Sequence, residues 1–546
     1  MAANNLDSFK IYLKAYSDAE YDKVGSYYHE DVSILLPDKQ FVSGRINFLE
    51  HLRRTHTLFT KTLSIRTIKL QGDRSFVVMD ALFEAKQDAP PDAVGGKSFQ
   101  KGSIVRYGPN RYSINNAESS KTIYGHATQF RKSDWYSAST PDNRLVNIFA
   151  EQDIKRHADS RRFYSSPYSM TSLVHYEPYL DECGALFCQR LGEFSRAGIS
   201  ADFGHWFQCF AFDAIAMMTY GRRLGFLDQG EDVSNVMENI NMTLIYSSVV
   251  GIFPSWHKYA MSILSAFDRF FGDGTALFVP KFTQKIIDDE RASPKLVVDV
   301  QGQEDGVAAK ESFLTKFMAK HSSDPKFTND YVLAGCAANM FAGSDTTGLS
   351  LSAILYNLLK SQDSMGKLRQ EIDEFTSRGE LSEAPTFKES QQMPYLQAVI
   401  KEALRVHPAV GIPLERVVPE GGATIEGRFF PEGSVVGINS WVQHRDRSLF
   451  GDDADRFRPD RWLVNDEAKL SVMNRNWTPF GLGSRTCLGK NISVLEISKL
   501  IPRIVRDFDF KLEGTAAAPG GSWETCNVFF VKPKNFYVKV QPRKTI

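Results

Sequence analysis

The stretch from Leu333 to Leu355, LAGCAANMFAGSDTTGLSLSAIL, carries one charged side chain, Asp345, near its middle. A helix this long and this apolar has two stable environments. One is a bilayer, which takes about 20 predominantly apolar residues to cross. The other is the centre of a large helical core. The run is rich in Ala, Gly and Ser, and an acid in mid-membrane would be costly and is rarely idle. Both features favour the core, so the rest of the chain must be large enough to bury a whole central helix.

It is large enough. The chain has 546 residues, of which 42% are hydrophobic and 24% charged, a globular balance that leaves room for one large domain and a companion. Its 65 basic and 65 acidic side chains cancel, so no basic field draws it to nucleic acid. Six cysteines are too few for a disulfide scaffold, and no paired CxxC motif suggests structural zinc. The first residues, MAANNLDSFKIYLKAYSDAEYDKV, carry charges every few positions. No signal peptide or N-terminal membrane anchor is expected there, and the chain reads as one of a reducing, cytosol-facing compartment.

Chemistry concentrates in Pro479-Phe480-Gly481-Leu482-Gly483-Ser484-Arg485-Thr486-Cys487-Leu488-Gly489-Lys490. One cysteine lies between glycines that allow tight turns and close approach of a flat ligand. It also opens an apolar helix over Ile492–Val505. A helix N-terminus and Arg485 are both expected to favour thiolate over thiol. The pattern Phe-x-x-Gly-x-Arg-x-Cys-x-Gly resembles the haem-binding signature of the cytochrome P450 family.

Other segments carry the same resemblance. Glu402 and Arg405, in Lys401-Glu402-Ala403-Leu404-Arg405, are similar to the family's Glu-x-x-Arg helix. Phe457-Arg458-Pro459-Asp460-Arg461-Trp462 is similar to its later Phe-x-Pro-acid-Arg segment. The resemblance implies a buried structural triad of Glu402, Arg405 and Arg461 supporting the cysteine loop. Ala342-Gly343-Ser344-Asp345-Thr346-Thr347 resembles the oxygen-activation motif, in which Gly343 and Thr346 open the helix, Thr346 hydrogen-bonds dioxygen and Asp345 relays protons. Haem b would then be held by Cys487 as axial thiolate, in a loop shaped by Phe480, Gly483 and Gly489. Arg485, Arg416, His157 and Arg161 would face its propionates. His157 and Arg161 stand one helical turn apart. Asn339, Met340 and Ala342 are expected to line a mostly apolar substrate cavity.

The resemblance covers residues 99–546 and implies a mainly α fold with small sheets. Within it, a hairpin is expected over Gly102–Ile114, helices near Val146–Arg162, Val174–Arg196, Trp206–Tyr220 and Ala260–Asp289, and a polar loop over Pro294–Lys310. Residues 1–98 differ. Helical spacing over Leu6–Tyr28 and Gly44–Phe59, a short strand at Val32–Pro37, and alternating strands at Leu63–Ile68 and Ser75–Ala85 form an α+β pattern. That order resembles the NTF2-like or SnoaL-like cones. A Pro- and Gly-rich linker at Gln87–Gly96 comes early for such a cone, which is either incomplete or borrows Ser98–Ile114 as its last hairpin.

The resemblance implies a haem-thiolate monooxygenase. It would insert one oxygen atom of O2 into a lipophilic small molecule, in the manner of secondary-metabolite enzymes, with electrons from an NADPH-dependent reductase. The expected location is the cytoplasm or the cytosolic face of the endoplasmic reticulum, with peripheral membrane contact. Two rivals follow from the unusual front. One is a haem protein, or a join of neighbouring genes, that no longer oxidises. The other is a bifunctional enzyme whose cone uses His29, Asp31, Glu50 or His51 as acid–base groups.

Overall fold

The computed structural model describes residues 33–35, 41–43, 59–71 and 74–85, then residues 103–543 apart from 109, 141–146, 263–277, 293–311 and 519–520. The chain divides into two compact units, Met1–Phe99 and Gln100–Ile546. In the first, Ser33–Leu35 pairs antiparallel with Phe41–Ser43, and Phe59–Gln71 with Arg74–Ala85. The expected helices at Leu6–Tyr28 and Gly44–Phe59 and the linker at Gln87–Gly96 lie outside the described residues. So do the cone reading and its candidates His29, Asp31, Glu50 and His51.

The second unit is built mainly of helices. Its sheet begins with β1 (Ile104–Gly108) and β2 (Arg111–Ile114), which form an antiparallel hairpin. β3 (Arg131–Lys132), β4 (Arg416–Val417) and β5 (Val435–Gly437) complete five strands in the order β1-β2-β5-β4-β3. Because β2 pairs in parallel with β5, the hairpin is part of the sheet of the second unit.

Three helices place the site. α1 covers Ile154–Ser165, α2 Phe203–Tyr220 and α3 Val236–Val250. The expected helix at Val146–Arg162 starts late because the Asp153 side chain accepts the Arg156 N–H and caps the first turn. The uncharged run becomes the centre of α4 (Asn329–Lys360). Four of its hydroxyls are satisfied within the helix: Ser344 donates to the Met340 carbonyl (2.9 Å), Thr346 to Ala342 (2.7 Å), Ser350 to Thr346 (2.7 Å) and Ser352 to Gly348 (2.8 Å), while Thr347 donates to the Ser493 hydroxyl (3.1 Å). Small residues let α2 and α4 approach closely. A Cβ on Gly343 would lie 2.9 Å from Ile215 Cγ1, and one on Gly348 2.9 Å from Gln208 Cα. Gly343 thus serves helix packing on the α2 side, and α4 runs unbroken through the position where it was expected to open.

α5 (Pro394–Val406) and α6 (Lys490–Asp507) lie against α4. Two further strands, β6 (Glu524–Asn527) and β7 (Val531–Lys534), form a hairpin near the C-terminus. No single helix among the described residues is long and apolar enough to cross a membrane, although the bent pair Val233–Val250 and Pro254–Ser262 passes that test together.

Candidate active site

Cys487 sits in the loop that leads into α6, its N–H donating to the Phe480 carbonyl (2.8 Å). Gly483 has φ +62°, and a Cβ there would come 1.7 Å from the Tyr124 carbonyl oxygen, so no other residue fits that turn. Gly481 also takes a positive φ of 69°. The Cys487 side chain is open to solvent, yet enough protein surrounds it that burial holds the thiol above its ordinary value. The N–H groups of Gly489 and Lys490 and the Arg161 guanidinium pull the other way.

Arg485 was expected to act on this thiol. Its guanidinium instead donates to the Glu151 carbonyl, 2.5 Å away, and the cations whose charge favours the thiolate are Arg161 of α1 and Lys490.

Glu402, Arg405 and Arg461 meet in a fully buried cluster. Arg405 donates to both Glu402 oxygens (2.8 Å each), and Arg461 Nε to Oε1 (2.8 Å). Trp462 Nε1 and the Arg458 N–H add bonds of 2.9 Å each. The remaining guanidinium protons go to carbonyls of His444, Ala454, Phe450 and Arg456 and to Asp453. Every charge here has partners.

A second group of cations has neutral partners only: Lys132 donates to the Phe149 carbonyl (2.5 Å) and Arg416 to the Glu415 carbonyl (2.8 Å). Lys132 and Arg416 are register partners on β3 and β4, an arrangement of like charges that is unfavourable by itself. Both are buried, as is His157. Lys132 is pushed well below its usual range by burial, then by Arg416 and Arg485. Burial, with Arg485, Arg161, Lys132 and Arg416, takes His157 down to about 3. Arg485 falls to about 10 by burial and the charge of Arg416. The nearby Glu415 carboxylate is already engaged by Arg111, Tyr107 (2.7 Å) and Ser133 (2.5 Å). Among the described residues no carboxylate forms an ion pair with Lys132, Arg161 or Arg416. This concentration of buried positive charge suits a flat ligand bearing carboxylates. The open thiol backed by N–H donors suits a soft metal at its centre, so the residues present fit haem. Lys132 was missed in the sequence because a two-residue strand has no periodicity to read.

Facing the cysteine loop is a cavity of about 230 Å³ lined by Leu488, by Ala334, Ala338, Phe341 and Ala342 of α4, and by Phe529 and Phe530 at the β6–β7 turn. Trp135, Phe149 and Leu244 of α3 also line it. Asn339 and Met340 were expected on this wall and are elsewhere. Asn339 bonds Tyr168 (2.5 Å) and Thr219 (3.0 Å), and Met340 is fully buried in the core. At about 100° per residue, the face bearing Ala338 and Ala342 turns both away. Thr346, one turn beyond Ala342, hydrogen-bonds its carbonyl. Asp345 turns to the opposite side, where Gln208 and Lys532 hold it.

The cytochrome P450 family model matches residues 97–540. A cytochrome P450 monooxygenase of Aspergillus terreus is 38% identical over 75% of this chain and 82% of its own length. The cytochrome P450 monooxygenase cicH of Emericella nidulans is 36% identical over 82% of this chain and 88% of its own. A pisatin demethylase of Fusarium vanettenii is 35% identical, with 81% and 82% covered. With matches of this extent over the cysteine loop and the central helix, the chain belongs to the cytochrome P450 family, as a monooxygenase homologous to those of fungi.

Proposed function

We propose that this chain oxidises a lipophilic secondary metabolite, inserting one oxygen atom of O2 at a C–H bond, with electrons from a separate NADPH-dependent reductase. The observation that carries the reading is the placement of Leu488, next to Cys487, across one apolar cavity from the Ala338–Ala342 face of the central helix. Bound haem supplies oxygen activation, aided by electron donation from a cysteine thiolate. Cys487 would be that ligand, Lys132, His157, Arg161, Arg416 and Arg485 would hold the propionates, and Gly483 and Gly489 would let the loop approach a flat ring closely.

The remaining work is the protein's. Leu488, Phe341, Phe529 and Phe530 exclude water and hold an apolar substrate over the loop. The Thr346 hydroxyl donates to the carbonyl of Ala342, a cavity-lining residue, and rotation about its side chain would free it to donate to a bound ligand. Asp345, the neighbouring acid, passes protons to Thr346. A carbon monoxide difference spectrum of the reduced full-length protein tests this reading. The strongly red-shifted Soret band of thiolate ligation is the expected result. A histidine-like band, or no haem, would leave an inactive relic as the better description.

Val249, Ile252, Phe253, Trp256 and Tyr259 form an exposed apolar patch just after α3, of the kind that marks an interaction site. We place it against the cytosolic leaflet of the endoplasmic reticulum. Replacing Ile252 and Phe253 with Asp should abolish co-sedimentation with neutral phospholipid vesicles. Unchanged sedimentation would end that assignment.

A further inference from the structure

Glu415 is the neighbour of Arg416 in sequence, yet it gives that cation no counter-charge. Arg416 and Lys132 are register partners, and side chains along a strand alternate between its faces. Glu415 and Ser133, one residue beyond that pair, meet each other instead, the Ser133 hydroxyl donating to Glu415 Oε2 (2.5 Å). Arg111 of β2 donates to both carboxylate oxygens, and the Tyr107 hydroxyl of β1 to Oε1 (2.7 Å). Gly108 is the register partner of Arg111 in the hairpin, and a Cβ there would come 3.4 Å from Arg111 Cβ and Cδ, so the glycine leaves room for the arginine stem. The Glu415 side chain is 8% exposed and that of Arg111 21%, which makes the acid the inner member of the pair. Burial raises the Tyr136 hydroxyl, and there Arg416 and Glu415 act with opposite sign, so the two charges share one neighbourhood. Arg416 itself donates to the carbonyls of Glu415 (2.8 Å) and Leu414 (3.5 Å). A buried carboxylate this close to buried cations would ordinarily pair with one of them. Here it is drawn to the β1–β2 hairpin.

We propose that Arg111, supported by Tyr107 and Ser133, holds Glu415 away from Arg416 and Lys132, so that these cations stay free for the carboxylates of haem. Arg111 is thus a positioning residue of the cofactor site and acts through Glu415. The proposal rests on the reading of the cations as the propionate site. Arg111 cancels the Glu415 charge on the far side of β4 and leaves the positive charge of the cluster to the ligand. Released from Arg111, Glu415 turns to Arg416 or Lys132 and competes with haem for them. Arg111 and Tyr107 both belong to the hairpin, and β2 joins the sheet by pairing with β5. Docking of the hairpin therefore also sets the charge of the cofactor site.

The test follows haem release from the full-length protein to apomyoglobin. Arg111→Met should release haem about 10-fold faster, the worth of one charge-assisted hydrogen bond. The double variant Arg111→Met/Glu415→Gln should return close to the wild-type rate, because no carboxylate is left to compete. Reconstitution with haem dimethyl ester, which carries no free carboxylate, should make Arg111→Met and wild type release equally. A hairpin that had merely lost its packing would still release the ester faster. In the haem-free chains the order should reverse. Arg111→Met should unfold at a higher denaturant concentration than the double variant, since the released Glu415 then pairs with cations that the double variant leaves unpaired. Unchanged release from Arg111→Met, or a double variant that releases as fast as Arg111→Met, would overturn the role of Arg111. Equal release of haem and of its dimethyl ester by the wild type would instead remove the reading of the cations as the propionate site, and the role of Arg111 with it.

Discussion

Glu402, Arg405 and Arg461 are as deeply buried as Lys132, His157 and Arg416, yet the two clusters follow opposite plans. In the first, one carboxylate takes bonds from both guanidiniums, an indole and a backbone N–H, and the remaining donors end on carbonyls. In the second, like charges face each other across a strand pair, and burial together with the neighbouring cations lowers the proton affinity of Lys132 and His157. Burying a charge is tolerable when it is paired and hydrogen-bonded, and costs several kcal/mol otherwise. A complete cluster is therefore part of the scaffold, whereas one short of negative charge is built around something that brings it. Burial alone does not distinguish them; the presence of a counter-charge does.

The sharpest way to break the comparison is to make the complete cluster incomplete. Glu402→Gln leaves Arg405 and Arg461 without their counter-charge and should cost about 3–5 kcal/mol, read as a lowered denaturant midpoint together with lost haem. If haem content and midpoint were unchanged, the cluster would not be the scaffold claimed for it. Removing a cation from the incomplete cluster should act with two signs. Lys132→Met should stabilise the haem-free chain by about 1 kcal/mol, because a repelled and poorly solvated charge is gone. It should also weaken haem retention about 10-fold, the equivalent of roughly 1.4 kcal/mol. Apo unfolding curves and haem transfer to apomyoglobin measure the two separately. Loss of stability without haem would show that Lys132 is a scaffold residue after all.

The smallest effect concerns His157. Its folded value of about 3 lies below the ordinary 6.5, so between those values the unfolded chain binds more protons. Stability from this group is present above about pH 6.5 and is lost as pH falls toward 3. His407 and His444 are depressed for the same reason of burial. The difference between wild type and His157→Asn therefore isolates the one histidine. In the haem-free protein the variant should show a shallower loss of stability over that interval. Identical slopes would mean that the cations do not press on His157.

Parts of the site were legible because they are local. Glu402 and Arg405 stand three residues apart on one helix, and the cysteine loop is a single contiguous segment whose glycines are required by its own turns. Arg416 and Arg461 could be named because family motifs surround them. Illegible were the meetings between distant segments. Nothing near Lys132 says that it will sit opposite Arg416, and nothing near Arg485 says that it will donate to the Glu151 carbonyl. Asn339 and Met340 were misplaced because an apolar run shows that a helix is buried without showing which of its faces meets a cavity.

The sequence by itself determined that a long helix with a single mid-run charge lies at the centre of a large core, and that a glycine-framed cysteine opens another helix. Periodicity, turn chemistry and the cost of charge in an apolar run act over a few residues, and these suffice for such statements. Only the tertiary structure decided which charges are balanced. It brought Lys532 to Asp345 and Lys132 to Arg416 while directing Glu415 toward Arg111. Electrostatic satisfaction depends on distance in space, and the packing of strands and helices sets that distance.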